Sequence, residues 1–174
     1  MRVVVIIVVL LAGFFTMPWW MPRKWYRALL YPGHRPNALS KMLNSAGGWA
    51  TARGIGASLM VTIETRGRRT GKIVRVPLVP SYVGPDRYLV SFLGEKADWV
   101  LNARAAGGEA TLRHGEIEKV KLEGVPVSER APILKDYLRR APGGRPHFDI
   151  EPDAPLTEFA KVASRYPVFR IIRL

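Results

Sequence analysis

The sequence predicts an α+β fold: about six antiparallel strands with a few helices, preceded by an N-terminal transmembrane helix. Short β-branched segments alternate with turns rich in glycine and proline, which is typical of an antiparallel sheet. Amphipathic stretches with helical spacing lie between some of these segments. Residues 3–21 carry no charge, and an apolar run of that length favours a membrane span.

The apolar N-terminus divides the chain of 174 residues into three segments. We interpret residues 1–22 as a transmembrane anchor, 23–57 as a juxtamembrane helical connector and 58–174 as the barrel domain. About 19 helical residues at roughly 1.5 Å each span close to 28 Å, which suits a hydrocarbon core. A cleaved signal peptide is the alternative, because Arg2 precedes the apolar run, but the residues that follow the run are not small.

Aromatic and basic residues around the end of the apolar run predict its orientation. An interfacial belt is formed by Trp19, Trp20, Trp25 and Tyr26. Arg23, Lys24 and Arg27 outnumber the charges on the other side of the run, which are Arg2 and the amino terminus. The positive-inside rule then predicts a single-pass protein of the cell membrane whose folded domain faces the cytoplasm.

The connector contains one clear helix signal. A cluster of breakers at 32–36 precedes Asn37, which can cap a short helix. One face of that helix carries Ala38, Leu39, Met42, Leu43 and Ala46. We expect this stripe to pack on the barrel or on the membrane surface, and the helix to end at Gly47-Gly48.

The remaining elements follow in order along the barrel domain. Strands are predicted at 59–65, 73–79, 86–93, 110–113, 117–125 and 168–174. Helices are predicted at 98–106, from Ser128 with Ile133, Leu134, Tyr137 and Leu138 inward, and at 156–163. Six strands with a few helices fit a split β-barrel.

A basic turn joins the first two strands and is the most informative segment of the chain. Gly67 and Gly71 bracket a cationic run and allow a ligand to approach the backbone closely. Guanidinium, hydroxyl and ammonium groups come from Arg68, Arg69, Thr70 and Lys72. Such a turn suits a phosphate or a carboxylate; the alternative is a solvated basic hairpin.

Composition restricts the partners and the chemistry. The net charge of +13 implies an anionic partner such as nucleic acid, anionic lipid or an anionic coenzyme. The basic residues are spread along the chain and few aromatics accompany them in the strands, so we expect no nucleic acid. Without cysteine, and with three histidines far apart, we expect no metal site. No catalytic acid, base or nucleophile is assigned, which suits a protein whose cofactor supplies the reactive atom.

Three motifs together resemble a known family. The turn at 67–71, Pro77-Leu78 in the following strand, and Trp99-Val100-Leu101-Asn102 match in order and approximate spacing. The chain in this region resembles the deazaflavin (coenzyme F-420)-dependent nitroreductases and quinone reductases, of the split β-barrel flavin/deazaflavin oxidoreductase superfamily. The resemblance implies hydride transfer from a reduced deazaflavin whose phosphate and oligoglutamate tail is polyanionic. It makes 58–174 a coenzyme-binding domain.

The resemblance also implies which residues bind the coenzyme. The tail would be held by Arg68, Arg69, Thr70, Gly71 and Lys72. The ring would lie along Val76, Pro77 and Leu78, with Trp99 beside it and Asn102 bracing the helix. Trp99 could equally be a core residue. The family has an arginine where Val74 stands, so either a bulge returns Arg75 to the site or that contact is lost.

The acceptor is predicted from a second difference between this sequence and the family pattern. Leu156 and Phe159 stand where nitroimidazole-reducing members carry tyrosines, and they imply an apolar substrate pocket. We therefore expect a lipophilic acceptor: a quinone, an unsaturated lipid or a nitro compound. Protons would come from water, Tyr137 or Tyr166. Alternatives are an FMN-dependent or other flavin-dependent reductase and a non-enzymatic basic barrel that binds anionic lipid or nucleic acid; a homodimer is compatible with each.

Overall fold

A computed structural model describes residues 21–55 and 58–174. The predicted anchor, 1–22, therefore lies almost entirely outside the described residues. Within those residues, none of the helices combines the length and the apolar character needed to cross a membrane.

Five α-helices and seven strands make up the described part of the chain. The helices are α1 (Arg23–Leu30), α2 (Ala38–Ala52), α3 (Asp98–Ala105), α4 (Arg130–Arg140) and α5 (Leu156–Val162). The strands are β1 (Val61–Arg66), β2 (Ile73–Leu78), β3 (Ser81–Val83), β4 (Asp86–Val90), β5 (Glu109–His114), β6 (Glu116–Gly124) and β7 (Val168–Arg173). The α+β class is confirmed, with seven strands where six were predicted, because β3 is only three residues long and lies between Pro80 and Gly84.

The strands form one curled antiparallel sheet in the order β2-β1-β5-β6-β7-β4-β3. Its two end strands, β2 and β3, are joined only by Val79 and Pro80. Three Cα steps reach about 11 Å. A flat sheet would separate the end strands by six spacings of about 4.8 Å, or roughly 29 Å. The short link therefore requires the sheet to curl and bring its ends together.

Two large apolar clusters fill the two ends of this arrangement. The first joins α4 and α5 to the sheet and includes Leu134, Leu138, Phe148, Phe159 and Val168. The second lies between α3 and the sheet and includes Ile63, Leu89, Val100, Leu112 and Val120. The residues of α4 that were predicted to face inward are buried as expected: Ile133, Leu134, Tyr137 and Leu138. A smaller cluster ties α1 to the loop after β4 through Tyr26, Leu30 and Tyr31.

Helix α2 lies on the outer face of β1 and β2 and is longer than predicted. Asn37 caps it, since its Oδ1 accepts a hydrogen bond from the Ser40 N–H at 2.9 Å. The predicted end at Gly47-Gly48 is wrong, because the helix continues to Ala52. Gly48 packs on β2: a Cβ at this position would make ordinary contact with the Cβ of Arg75, at 3.4 Å. The Gly48 carbonyl also accepts a hydrogen bond from the Thr62 hydroxyl at 2.8 Å.

Candidate functional site

The basic turn is a closed hairpin connection between β1 and β2. The Gly67 N–H donates to the Lys72 carbonyl, and the Gly71 N–H donates to the Gly67 carbonyl, each at 2.8 Å. Gly71 has φ +67°, a conformation that side chains with a Cβ rarely adopt. The turn therefore has a defined backbone from which its exposed side chains extend.

One arginine of the turn is held by α3. The Arg68 guanidinium donates to Oδ1 of Asn102 at 2.9 Å, and the Arg68 backbone N–H donates to the same oxygen at 3.2 Å. Asp98 lies 3.3 Å from the guanidinium. Asn102 is buried, so its side-chain amide holds the turn in a defined position. From the sequence, Asn102 was expected to brace its own helix; in the structure its side chain contacts the turn.

The other cations of the turn remain available for a ligand. Arg66, Arg69 and Lys72 are exposed, and none of them forms an ion pair with another described residue. Thr70 is exposed as well, and its hydroxyl lies 3.4 Å from the Lys72 N–H. Three exposed cations therefore lie on this turn or directly before it, an arrangement that suits an anion.

A narrow cleft lies along the second half of β2, from Val76 to Leu78, which is about 10–17 Å along the strand from Ile73 at roughly 3.3 Å per residue. It encloses about 50 Å³. Eight residues line it. Four were predicted to contact the ring, namely Val76, Pro77, Leu78 and Trp99, and the other four are Asn44, Ser91, Phe92 and Leu93. The structure therefore brings together all four predicted ring-contacting residues at one end of an end strand of the sheet.

Trp99 is a core residue that also lines the cleft. It is only 5% exposed and packs edge-to-face on Phe169, with ring centroids 5.5 Å apart. It also lines the cleft. The same side chain therefore belongs to the core and forms a wall of the site.

Arg75 lies apart from the cleft. The β1–β2 register runs without interruption, with Glu64 opposite Arg75 and Thr65 opposite Val74, so the bulge considered above is wrong. The Arg75 Nε donates to the Glu64 carboxylate at 2.7 Å, on the face that α2 covers. Arg75 is not among the residues that line the cleft.

The two residues predicted for the acceptor pocket do not reach the cleft. Phe159 is fully buried in the α4–α5 cluster, while Leu156 is 49% exposed at the start of α5. Neither lines the cleft. The two tyrosines considered as proton donors are also elsewhere: Tyr137 is buried in the α4–α5 cluster, and the Tyr166 hydroxyl donates to the His147 carbonyl at 2.8 Å.

Sequence reasoning missed the contribution of the connector to the cleft. Asn44 of α2 lines it. Tyr31 packs edge-to-face on Phe92, another lining residue, with ring centroids 5.9 Å apart. Burial raises the pKa of the Tyr31 hydroxyl. A polar residue opposite the apolar stripe of α2 was the available signal.

Asn102→Ala is expected to destabilise the fold by about 1–3 kcal/mol, because two donors of Arg68 lose their shared acceptor. Asn102→Asp is the matched control, since it retains an acceptor oxygen facing the guanidinium. Thermal and urea unfolding of both variants measure the difference. Equal stability of the alanine variant and the parent protein would contradict the role of Asn102 as the seat of the turn.

Comparisons with known proteins place the chain beside several reductases. Solved structures similar to it include an F420-H2 dependent reductase, with 17% identity over 66% of this chain and 95% of that one and a TM-score of 0.45. A structure described as a domain-swapped dimer has 16% identity over 77% of this chain and 96% of that one, with a TM-score of 0.49.

The similar structures do not share one activity. A heme binding protein from Mycobacterium smegmatis has 13% identity over 79% of this chain and 51% of that one, with a TM-score of 0.45. No protein-family model matches the sequence, and no curated protein matches it. Because one fold can host unrelated functions, the function of this chain has to be argued from its own site.

Proposed function

We propose that this protein is a membrane-anchored oxidoreductase that transfers a hydride from reduced deazaflavin to a lipophilic acceptor. One observation carries the proposal: three exposed cations lie where β1 and β2 meet at the basic turn, and an apolar cleft lies along the other half of β2. That arrangement suits a ligand with a planar apolar ring and a polyanionic tail. The resemblance of the turn, the Pro77-Leu78 strand and the Trp99 helix to deazaflavin-dependent reductases supports the same ligand.

The chemistry of the donor groups fits the tail of the coenzyme. Arg69 and Lys72 offer charge-assisted hydrogen bonds to phosphate or carboxylate, and Thr70 adds a hydroxyl. Arg66 is exposed at the end of β1 and adds a third cation. Arg68 holds the turn in place through Asn102, so its role is to position the others.

The apolar cleft fits the ring in character but is narrow. Val76, Leu78 and Trp99 offer apolar contact, and Pro77 has no N–H to leave unpaired. The enclosed volume of about 50 Å³ is smaller than the ~300 Å³ or more typical of ligand pockets. Entry of a ring therefore requires the cleft to widen.

When bound, a reduced deazaflavin supplies a hydride; the residues of this chain bind, orient and shield it. The turn anchors the tail, and β2 with Trp99 fixes the ring. The side chains of Phe92 and Leu93 exclude water from the apolar wall on the acceptor side. The Ser91 hydroxyl is already used on the Gly94 carbonyl at 2.8 Å, so Asn44 is the polar side chain that can meet an acceptor.

Ligand titration tests the proposal. Full-length protein in detergent is titrated with deazaflavin, with deazaflavin lacking its glutamates, with FMN and with single-stranded DNA. We expect deazaflavin to bind most tightly, and its affinity to fall both with salt and on removal of the glutamates. Tighter binding of FMN would favour a flavin-dependent reductase, and binding of DNA alone would favour a non-enzymatic basic barrel; either result overturns the proposal.

A further inference from the structure

Helix α2 carries its apolar stripe on the side facing away from the protein. Leu39, Met42, Ala46 and Trp49 recur at helical spacing and are exposed, Leu39 by 44% and Met42 by 61%. The opposite side, which packs on β1 and β2, carries small and polar residues, including Ser40, Gly47, Gly48 and Thr51. Of the two sequence-based alternatives for this stripe, packing on the barrel is wrong for Leu39 and Met42.

Helix α1 shows the same arrangement. Tyr26 and Leu30 are buried, whereas Trp25 and Leu29, four residues apart, are exposed. We call the exposed apolar side chains of the two helices the connector face; they are Trp25, Leu29, Leu39, Met42 and Trp49. Large exposed apolar patches are typical of interaction surfaces.

All the charged side chains of the segment that contains α1 and α2 are basic. No acidic residue occurs before Glu64. Six basic residues lie between Met21 and Glu64: Arg23, Lys24, Arg27, Arg35, Lys41 and Arg53. Arg23 and Arg27 pair with Glu151 and Asp149, and the other four have no ion-pair partner among the described residues. The Arg53 guanidinium lies 3.9 Å from the ring centroid of Trp49, so a cation accompanies the stripe itself.

We propose that the connector face docks on the surface of an anionic lipid bilayer. Tryptophan and leucine among lysines and arginines are typical of helices that lie in the interface of such a membrane. The connector also follows directly on the uncharged run of residues 3–21. A second copy of the chain is disfavoured, because a two-fold contact would bring cationic surfaces without acidic residues together.

Docking would bring one wall of the cleft near the membrane surface without opening the cleft to it. Asn44 lines the cleft and belongs to the same helix as Met42 and Trp49, but it lies on the opposite side of that helix. The docking itself rests on exposure and charge, and does not depend on which coenzyme the protein binds.

The absence of cysteine allows a clean test by single-site labelling. Leu39→Cys and Val127→Cys carry a nitroxide in the full-length protein; the parent side chains are 44% and 46% exposed, and Val127 lies beyond the far end of β6. Each variant is bound to vesicles of phosphatidylcholine with or without phosphatidylglycerol. We expect the label at 39 to lose access to a water-soluble nickel reagent and gain access to oxygen on anionic vesicles, while the label at 127 is unchanged.

A second variant separates lipid contact from other causes. Met42→Glu, at an exposed position three residues from the label, should restore nickel access at 39 without changing the unfolding temperature. Nickel access at 39 that is equal on vesicles and in solution would overturn the proposal. So would protection in the absence of lipid with broadening between labels, which indicates a second copy. Failure of deazaflavin to bind would overturn the proposed function and leave this result unaffected.

Discussion

Arg69→Glu combined with Lys72→Glu is expected to abolish deazaflavin binding while the protein remains folded. Both side chains are exposed and unpaired among the described residues, so their replacement breaks no internal contact. Each lost charge-assisted contact costs about 1.5–3 kcal/mol, and a carboxylate in its place repels the anionic tail. The expected loss is therefore at least about a hundredfold in affinity, at ~1.4 kcal/mol per factor of ten.

The matched control is Lys119→Glu combined with Lys121→Glu. These lysines are exposed on β6 and give the same change in net charge at another place on the protein. Isothermal titration with deazaflavin at two salt concentrations compares the two double variants. An equal loss of affinity in both double variants would mean that the overall charge attracts the coenzyme. Unchanged affinity in the turn variant would mean that the turn is a solvated hairpin with no part in binding.

Arg68 should behave differently from its neighbours. Its guanidinium is engaged by Asn102 and Asp98, so its removal unseats the turn as well as removing a charge. From sequence alone, Arg68 and Lys72 are expected to contribute alike to the tail. The structure separates them because the partner of Arg68 is a buried amide thirty-four residues away.

Phe159→Asp is expected to unfold the protein, whereas Leu156→Asp is expected to leave it nearly unchanged. Phe159 has no exposed surface and packs among the side chains of α4 and α5. Removal of a buried phenylalanine side chain costs about 3–5 kcal/mol. Burial of a carboxylate adds to that cost, and the total is comparable to the ~5–15 kcal/mol that holds a domain folded. At the half-exposed Leu156, a change of about 0.5 kcal/mol or less is expected.

Circular dichroism melts and the soluble yield of the two variants provide the measurement. The pair is informative because the sequence assigns both residues to one acceptor pocket, while the structure places one in the core and the other on the surface. A Phe159→Asp protein with an unchanged melting temperature and impaired turnover of a quinone would contradict the structure and favour the pocket. Loss of the fold would instead leave the acceptor side to Phe92 and Leu93 of the cleft.

Local patterns predicted most of the elements, because their signals lie within a few residues. The glycine at 115 marks the β5–β6 hairpin, and the spacing of Ile133, Leu134 and Leu138 marks α4. Strand β3 was missed because three residues give no periodicity. Gly47-Gly48 was interpreted as a helix end, whereas both glycines lie inside α2 where it packs on β2, and only the tertiary structure distinguishes these positions.

Half of the residues that line the cleft had been selected from the sequence, for a similar reason. Val76, Pro77, Leu78 and Trp99 carry motifs and proved to line one cleft. Asn44, Ser91 and Phe92 complete it from other parts of the chain, and no local pattern distinguishes them. Phe159 shows the converse limit: an apolar residue has the same sequence signature whether it lines a pocket or fills a core.

The seventh strand in chain order is an interior strand of the sheet. Until β7 is inserted, β6 and β4 both have open edges, and β2-β1-β5-β6 and β4-β3 are not joined by hydrogen bonds. The cleft is lined by Trp99 and β2 on one side of this gap and by the residues after β4 on the other. A chain lacking residues 168–173 is therefore expected to have the basic turn but no assembled cleft.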